Sequence, residues 1–453
     1  MSSNRYFLFL IPRSIYLKIK KFSEIIIHKL FNPEKLNENH KTCLFVELPT
    51  IRFKELFLES KNFKENAVFF SRRRPAIWNF ESYSILKNSN CKIITENSLF
   101  DKKLEKTVNK GIQQVSTKIS TLWKNDDQLE KFFSISGKSL WKVLHPIFSE
   151  LINSRIRESV FEIELVKKMF LKYNFNSVLV LSEVGMTEQI VTKFAQDNNV
   201  PVALLQMGYH HDTKEAQETN HSQAVYPINA DKFVVWGNIS KIDAIENGNV
   251  KLDNVEILGC PRYDNIFSEG ENEGYVLLAA SGPVQMHVRC LTVETYEKYE
   301  SEIKEICKIV MKLGKKLIIK IHPSSTEHDL TTLVKKISPN IQVVTTGDIL
   351  PLIKSCDLMI VTGLSTSILE AHLLKKPVIS IPIINFNLGT PKIFTSNSCI
   401  VSPINELENN LIKILNDSKF RNELLKRAND FIQNYIVNLN NASKKLNEFL
   451  LKL

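Results

Sequence analysis

Several polar side chains that could take part in chemistry follow short apolar runs, where strands of a sheet are expected to end. His322 follows the run KKLIIKI, and Pro323 directly after it would stop a strand. A histidine at such a point can donate a hydrogen bond to a phosphate oxygen or protonate a leaving group. It can equally close a loop without touching a ligand. We therefore take His322 and Pro323 as candidates for a donor-binding or catalytic role.

A second strand exit carries a run of small hydroxyl residues. The segment CDLMIVTGLSTSILEAHLLKKPVISIP (356–382) predicts a strand that ends at Gly363 and a helix that follows it. Free backbone N–H groups and the dipole at a helix start attract anions, so this turn is a candidate phosphate site. Ser367 and Glu370 also have the spacing of a capping box, while Glu370 could instead accept hydrogen bonds from ribose hydroxyls. The hydroxyl residues of the turn are Ser365, Thr366 and Ser367.

A third candidate is the segment ILGCPRYD (257–264). Gly259 permits a tight turn, and Arg262 offers a planar fork of donors that fits a phosphate or a carboxylate. The alternative is that Asp264 pairs with Arg262 and leaves it no ligand to bind.

Two further strand exits lie in the first half of the chain. Glu183 in SEVG (182–185) follows a buried strand, where removal from water could make its carboxylate a stronger base. A glutamate that caps the next helix is the alternative. The segment LLQMGYHHD (204–212) supplies candidates for acceptor or phosphate binding, of which at most one of the two adjacent histidines is expected to face a given ligand. These candidates are Gln206, Gly208 and His210.

A basic cluster, SRRRPAIWN (71–79), follows another strand. Its arginines, together with Trp78, could bind an acidic acceptor or a diphosphate, and Arg73 is the central one of the three. The alternative is an ordinary charged loop in contact with water.

These residues are positioned by strands that alternate with helices. Strand-like runs follow one another from residue 42, and the pattern restarts at Tyr275 after a polar, glycine-bearing segment (265–274). Such alternation predicts parallel sheets covered by helices on both faces, with ligands beyond the carboxyl ends of the strands. We predict an N-terminal segment over 1–40, one Rossmann-like domain over 41–265, a second over 266–453, and a cleft between the two domains.

Composition narrows the function classes. The net charge of +10 favours anionic partners, although it does not choose among them. Seven cysteines, none in a C-x-x-C pattern, predict reduced buried thiols in a cytoplasmic protein. No nucleic-acid module and no phosphate-binding G-x-x-x-x-G-K-[ST] motif is present. We therefore expect no nucleic-acid partner.

The N-terminal region carries a basic amphipathic helix pattern. From Ser14 to Phe31 apolar residues recur at helical spacing among lysines, and no apolar run reaches the ~18 residues of a membrane span. Such a helix can lie on an anionic leaflet, or it can pack on the protein's own surface. The first alternative predicts a peripheral protein at the inner face of the cell membrane.

The second half of the chain resembles GT-B glycosyltransferases of surface polysaccharide synthesis. The likeness covers roughly residues 177–383 and is to capsule-type transferases, bacterial sialyltransferases with His-Pro and Ser-Ser/Thr motifs, and CDP-glycerol glycerophosphotransferases. It is carried by His322-Pro323, by the Ser365–Ser367 run and by ILEAHLLKKPVI. GCPRYD resembles the Gly-x-Pro-Arg-x-Asp element of the glycerophosphotransferases. QMGYHH resembles the Gln-His-Gly element of capsule-type enzymes, with Met207 in place of the histidine.

The resemblance implies a GT-B-like fold and transfer of a sugar or polyol phosphate from a CMP-, CDP- or UDP-linked donor to a glycan or lipid-linked acceptor. It implies that His322 contacts the donor phosphate or protonates the leaving group, that the Ser365–Ser367 run binds the phosphates, and that Glu370 binds the nucleotide. Glu183 would be the base, since SEVG loosely resembles the acidic motif of the sialyltransferases. No D-x-D triplet occurs, so we expect no metal and no cofactor beyond the donor.

Two alternatives remain open at this point. A UDP-N-acetylglucosamine 2-epimerase-like enzyme shares the fold and a Ser-rich loop before a Lys-Pro-Val strand, but Pro323 follows the histidine that would open its His-Arg pair. A non-catalytic scaffold would keep the nucleotide or glycan site and dispense with Glu183 and His322.

Overall fold

The computed structural model describes residues 13–31, 36, 40–62, 66–73, 75–124, 126–267, 272–282, 292–323, 328–383 and 387–453, with the backbone alone for 13–21 and 126. Arg74, residues 324–327 after the His-Pro pair and part of the expected linker (268–271) lie outside the described residues.

Two larger sheets of parallel strands organise the described chain. The first has the order β3-β2-β1-β6-β7-β8-β9, the second has the order β12-β11-β10-β13-β14-β15, and β4 and β5 form a small hairpin. The strands are β1 (Thr42–Val46), β2 (Asn66–Phe70), β3 (Cys91–Ile94), β4 (Ser134–Ile135), β5 (Lys138–Ser139), β6 (Ser177–Val180), β7 (Val202–Leu205), β8 (Lys232–Val235), β9 (Val255–Ile257), β10 (Tyr275–Ala280), β11 (Leu317–Ile321), β12 (Gln342–Val344), β13 (Cys356–Val361), β14 (Val378–Ser380) and β15 (Ile400–Val401).

Helices connect these strands and cover both sheets. They are α1 (Arg13–Phe31), α2 (Lys54–Glu59), α3 (Phe80–Asn88), α4 (Glu96–Leu99), α5 (Lys102–Trp123), α6 (Asp126–Phe132), α7 (Trp141–Lys172), α8 (Met186–Asp197), α9 (Gln217–Ser222), α10 (Asn238–Glu246), α11 (Val293–Lys312), α12 (Thr331–Ile337), α13 (Leu350–Ser355), α14 (Ser367–Leu373), α15 (Lys392–Thr395), α16 (Leu407–Asn416), α17 (Ser418–Tyr435) and α18 (Ala442–Lys452).

The central strands are buried on both faces, which explains their continuous apolar sequences. In β10 alternate residues enter two different cores, because successive side chains of a strand point to opposite faces of its sheet. Tyr275 and Leu277 pack on the face that α14 covers, whereas Val276 and Leu278 pack on the face that α11 and α16 cover. The parallel α/β architecture predicted from the sequence is therefore confirmed.

The chain divides into two compact units. The C-terminal unit comprises 205–228 and 232–448 together with residues 13–18, and the N-terminal unit comprises 19–204, 229–231 and 449–453. The last strand of the first sheet ends at Ile257 and the first strand of the second sheet begins at Tyr275. These two compact units are not delimited in the same way as the predicted domains. The domain bounds 1–40, 41–265 and 266–453 stay a prediction.

The N-terminal amphipathic pattern does form a helix, α1. Ile27 and Phe31 are buried, and the Phe31 ring meets Tyr83 of α3 edge-on at a centroid distance of 6.4 Å. Phe22, Ile26 and Leu30 lie four residues apart and are exposed. Among the described helices, none is long and apolar enough to cross a membrane. The helix therefore presents one apolar face to the protein and a second to its surroundings.

The cysteine prediction is met where the chain is described. The six cysteines in these residues are buried and free of disulfide bonds. Burial raises the pKa of the Cys399 thiol to about 12, so it stays protonated at neutral pH.

Candidate functional site

The turn between β13 and α14 presents hydroxyl groups beyond the carboxyl end of a buried strand. Ser365 Oγ lies 2.8 Å from Ser367 Oγ, and the Ser367 N–H donates to Ser365 Oγ at 3.3 Å. The helix begins at Ser367, after Thr366, so Glu370 falls one position beyond the place that a capping box requires. The capping box predicted for Ser367 and Glu370 is therefore wrong. The hydroxyl residues themselves are where the sequence placed them.

The Glu370 carboxylate is instead held in a buried ion pair. Arg262 Nη2 lies 2.5 Å from Glu370 Oε1, and the Tyr263 hydroxyl donates to the same oxygen at 3.4 Å. The Glu370 side chain is 2% exposed and that of Arg262 15%. Burial alone would lower the pKa of Arg262, but the surrounding negative groups, Glu370 foremost, together outweigh it, and the pKa lies above its usual value. The ion pair therefore links the segment that carries Arg262 to the helix α14 that carries Glu370.

Asp264 has a different role from the one expected. Its two carboxylate oxygens accept the N–H groups of Ala442, at 3.1 Å, and Ser443, at 2.7 Å. A carboxylate at the first turn of a helix satisfies donors that have no partner within the helix. Asp264 therefore caps α18 and does not pair with Arg262, as the sequence had suggested. Gly259 does occupy a tight turn, with φ of 90°.

The segment after β7 reaches the hydroxyl turn directly. The Tyr209 N–H donates to Thr366 Oγ1 at 3.1 Å. A side chain at Gly208 would place its Cβ 3.0 Å from the same hydroxyl oxygen, so any larger residue would push the Thr366 hydroxyl away by a few tenths of an ångström, and glycine favours the close approach. Gln206 is buried and fixes the start of the segment, accepting from the Trp236 N–H at 3.0 Å and donating to the Tyr435 hydroxyl at 3.1 Å. The segment 206–212 and the turn 365–367 therefore form one site.

The Tyr209 side chain locks this segment in place. Its hydroxyl donates to Asp212 Oδ2 at 3.0 Å and accepts the Ile393 N–H at 3.1 Å. Asp212 Oδ1 in turn accepts the Lys392 N–H at 2.8 Å. Burial raises the pKa of Asp212 above its usual value. These contacts tie the loop to α15, so the position of the next residue, His210, is well defined.

His210 forms a hydrogen-bonded pair with a buried carboxylate. Its Nε2 lies 2.7 Å from Asp243 Oδ2, on α10. The same Asp243 accepts from the Tyr226 hydroxyl at 2.9 Å and from Asn247 Nδ2 at 2.8 Å. Burial would raise the pKa of Asp243, but the hydrogen bonds, that of His210 foremost, hold it below its usual value. Asp243 is thus an ionised carboxylate that faces an imidazole.

His322 lies at the same edge of the second sheet. The strand β10 pairs with β11 and with β13, so the residues after all three strands are neighbours. The His322 N–H donates to the Ala280 carbonyl at 2.9 Å, and the side chains of His322 and Pro323 are exposed. The Thr362 hydroxyl accepts the Ser281 N–H and donates to the Ser281 carbonyl, each at 2.8 Å. The structure therefore brings His322 to the strand ends from which the hydroxyl turn also leaves.

Lys320, a charged residue within the strand Leu317–Ile321, is buried behind this edge. Lys320 is 3% exposed, and its Nζ donates to the Ile321 carbonyl at 2.9 Å. Burial lowers the pKa of Lys320, and the charge of Asp348 opposes that change.

Glu183 belongs to the N-terminal unit and is held by backbone groups. Its Oε1 accepts the N–H groups of Asn229, at 3.1 Å, and Ala230, at 2.8 Å, and the residue is 1% exposed. These contacts give the carboxylate a structural task, the support of the 229–230 turn. Its predicted role as a base stays a prediction.

The basic cluster after β2 is not an open charged loop in its described part. Arg72 bonds Glu162 at 3.1 Å and Glu96 at 2.9 Å. Arg73 pairs with the buried Glu188 and lies 3.8 Å from Glu47, although half of its side chain remains exposed. Its predicted contact with an acceptor or a phosphate stays a prediction.

Some of the groups that shape the site gave no signal in the sequence. Asp243 and Tyr226 belong to no motif, and they meet His210 only because the chain folds. Within the described ranges no group of three or more His, Cys, Asp or Glu side chains is placed to hold a metal ion. That finding covers the described part alone, and metal independence stays a prediction.

A family model described as LIC12162 family transferase matches residues 22–382. A search of curated proteins finds no match.

Solved structures share the fold at low sequence identity. A UDP-N-acetylglucosamine 2-epimerase gives a TM-score of 0.56 at 11% identity, over 92% of this chain and 96% of its own. UDP-GlcNAc 2-epimerase from Neisseria meningitidis, bound to UDP-GlcNAc, gives 0.54 at 13%, over 91% and 100%. Anabaena Alr3699/HepE, in complex with UDP-glucose, gives 0.53 at 12%, also over 91% and 100%. At such identities the likeness shows the fold alone, and that fold is the GT-B-like one expected from the sequence.

Proposed function

The chain belongs to the LIC12162 family of transferases, and from this premise we propose that it transfers a sugar or a polyol phosphate from a nucleotide-activated donor. The acceptor in this proposal is a cell-surface glycan or a lipid-linked precursor of one.

The observation that carries the proposal is the meeting of two loops in the C-terminal unit. The segment after β7 and the turn after β13 are joined by the bond from the Tyr209 N–H to Thr366 Oγ1. Hydroxyl groups and N–H groups converge there beyond the carboxyl ends of parallel strands, where α/β sheets bind ligands. Ser365 and Ser367 supply two further hydroxyls to bind the donor phosphates.

The nucleotide of the donor is proposed from the relatives. The Neisseria enzyme was solved with UDP-GlcNAc and the Anabaena protein with UDP-glucose. Because these proteins have the same fold, UDP-linked donors are the first candidates, and CMP- and CDP-linked donors follow from the motif resemblance. In this proposal His322 acts on the donor side, at the phosphate or the leaving group, with Arg262 and Glu370 holding the adjacent segments together. No metal is required.

A thermal-shift panel tests the proposal. The full chain is heated with CMP, CDP, UDP and GDP and with their sugars, each at several concentrations. A donor nucleotide at 100 times its dissociation constant should stabilise the protein by about 2.7 kcal/mol. One nucleotide should stand out, and its sugar should stabilise at least as well. A flat response to the whole panel would contradict the proposal.

The second proposed partner is an anionic membrane surface. The exposed stripe of α1, formed by Phe22, Ile26 and Leu30, lies beside Lys29 and in a lysine-rich segment. Such a helix binds by burying its apolar face in the headgroup region while its lysines attract anionic lipid. The position of the acceptor at a membrane would give this contact a purpose.

Vesicle flotation tests the membrane contact. The full chain should float with vesicles of phosphatidylglycerol, less so in high salt, and not with phosphatidylcholine vesicles. Replacing Phe22 and Ile26 by serine should abolish flotation. Leu171→Ser, which changes a residue on α7 that is 79% exposed, is the matched control and should float as the wild type does. Flotation that does not depend on lipid charge, or that survives the serine replacements at Phe22 and Ile26, would refute the contact.

An epimerase is the alternative with the same fold, and it is not favoured. The epimerase structures match at 11–13% identity, which shows the fold alone, whereas the family that matches is one of transferases. The two activities differ in one simple respect, since an epimerase changes its nucleotide sugar without any acceptor.

A further inference from the structure

We propose that His210 is the general base that activates the acceptor hydroxyl, and that Asp243 is the positioning residue that holds it ready. This inference rests on the proposed function and names the residue that would take the proton in that reaction.

The hydrogen bond to Asp243 decides which imidazole nitrogen carries the proton. A carboxylate only accepts hydrogen bonds, so Nε2, 2.7 Å from Asp243 Oδ2, is the protonated nitrogen. The neutral ring then has its lone pair on Nδ1. In the part of the chain that the structure describes, no hydrogen bond to Nδ1 of His210 is found. The nitrogen able to accept a proton is therefore the one that the protein does not use.

The carboxylate is built to stabilise the charge that would form. Asp243 is 1% exposed and is fixed by Tyr226 and Asn247 as well as by His210. The Tyr226 ring also meets the imidazole edge-on at 5.6 Å. A buried anion at hydrogen-bond distance stabilises an imidazolium once the ring has taken a proton. The tyrosine and the asparagine leave Asp243 no freedom to turn away from His210.

The place of His210 fits the proposed site. It is the residue directly after Tyr209, whose N–H bonds the hydroxyl turn at Thr366. The His210 side chain is 13% exposed, so it is packed against its neighbours yet part of it remains accessible. In the proposed complex the acceptor hydroxyl approaches that accessible part, and the donor phosphates bind at the hydroxyl turn that the Tyr209 N–H contacts.

The step balances without any further reactant. The acceptor oxygen forms a bond to the anomeric carbon of the donor sugar, and the bond from that carbon to the phosphate oxygen breaks. The electron pair of the broken bond leaves with the nucleotide, and the hydroxyl proton passes to Nδ1 of His210. The imidazolium later releases this proton to water. Direct displacement of this kind inverts the configuration at the reacting carbon. If a polyol phosphate is transferred, the acceptor oxygen bonds to the phosphorus that carries the polyol, the phosphoanhydride bond to the nucleotide breaks, and a nucleoside monophosphate leaves with the electron pair. The hydroxyl proton again passes to Nδ1 of His210.

Glu183, the base expected from the sequence, is engaged differently. Its Oε1 accepts the N–H groups of Asn229 and Ala230, so that oxygen is already engaged in holding the 229–230 turn. His210 has an unused basic nitrogen, and for this reason it is the better candidate.

The test compares His210→Gln with a matched control. A glutamine amide can still donate to Asp243 as Nε2 does, but it has no basic nitrogen. Its kcat should fall at least 100-fold, since general-base catalysis contributes about 10²–10⁴-fold. The KM for the donor and the thermal shift with the nucleotide should stay within about threefold and one degree of the wild type. The control is His221, whose ring lies 5.3 Å from that of Tyr226 but whose Nδ1 bonds the Gln217 carbonyl instead of a carboxylate. The His221→Gln variant should stay fully active.

Two further measurements separate a base from a structural residue. Asp243→Asn should lower kcat at least tenfold with little change in the KM for the donor. His210→Ala should regain activity when imidazole is added, which a structural role would not permit. A His210→Gln variant that keeps its turnover, or a His210→Ala variant that imidazole does not restore, overturns the proposal. A wild-type chain that transfers nothing from any donor refutes the proposed function itself, and the assignment of the base falls with it.

Discussion

The ion pair between Arg262 and Glu370 allows a prediction whose size follows from the structure. The Glu370 side chain is buried at 2% exposure and that of Arg262 is largely buried at 15%, with 2.5 Å between Nη2 and Oε1. Removing one member of a buried pair leaves an uncompensated charge and typically costs about 3–5 kcal/mol. Glu370→Leu leaves the Arg262 guanidinium beside the Tyr263 ring without the charge of Glu370. Arg262→Met leaves the Glu370 carboxylate without that guanidinium, although the Tyr263 hydroxyl still donates to it. Each single variant should lose stability in that range.

The double variant should recover most of this loss. Replacing both members of a buried pair by apolar residues of similar volume is often neutral. The Arg262→Met/Glu370→Leu protein should therefore lie within about 2 kcal/mol of the wild type, which gives a coupling energy of several kcal/mol. The exposed pair Lys193–Asp197 on α8, at 2.6 Å, is the control, and its coupling should stay below about 1 kcal/mol.

Urea unfolding measured by tryptophan fluorescence is the assay. Trp236 is 1% exposed and its ring meets Tyr263 edge-on at 5.6 Å, so it reports on the surroundings of the pair. Losses of the two single variants that simply add in the double variant would refute the reasoning. They would show that Arg262 and Glu370 stabilise the fold separately.

Four further predictions concern the site and its support. The double variant Ser365→Val/Thr366→Val should weaken nucleotide binding in a folded chain, because it removes two hydroxyls, one of which accepts the Tyr209 N–H. The control Thr107→Val on α5 should leave nucleotide binding unchanged. An unchanged nucleotide affinity of the double variant would show that this turn is not part of the site. Burial lowers the pKa of His372 to about 3, so the unfolded state binds more protons than the folded one as pH falls from about 6.5 towards 3. Stability should drop in that window by up to about 1.4 kcal/mol per pH unit, and His372→Gln should reduce that slope in urea titrations. Glu183→Gln should lower stability with little effect on turnover, because the carboxylate holds the 229–230 turn. A loss of turnover of about a hundredfold or more would instead identify Glu183 as the base. His322→Ala should lower both turnover and donor affinity.

The fold was predictable because its signals are local. Strands such as Ser177–Val180 and Tyr275–Ala280 are buried on both faces, and their continuous apolar sequences show this directly. The short edge strands Val255–Ile257 and Ile400–Val401 were missed. With two or three residues each, they have too little sequence to carry a pattern.

The partners of the charged residues could not be predicted in the same way. The expected pairs, Arg262 with Asp264 and Ser367 with Glu370, were neighbours in sequence. The real partner of Arg262 lies in another segment, and Asp264 bonds the start of α18. Short stretches of sequence suggest local pairs, whereas burial makes distant partners the stable ones.

The two histidines of the site show what sequence motifs can and cannot predict. His322 was identified by the strand and proline that flank it, and the structure places it at the expected strand end. His210 was one of two adjacent histidines with nothing to choose between them. Only the fold shows that Asp243 lies 2.7 Å from its Nε2.

The most direct test of the account is acceptor-dependent release of nucleotide. The full chain is incubated with the donor that stabilises it, with and without a membrane fraction that supplies lipid-linked glycan, and free nucleotide and labelled glycan are measured. The account predicts that nucleotide is released and label enters the glycan only when acceptor is present. Conversion of the nucleotide sugar to its epimer without acceptor, or no reaction of any stabilising donor with any acceptor, would contradict it.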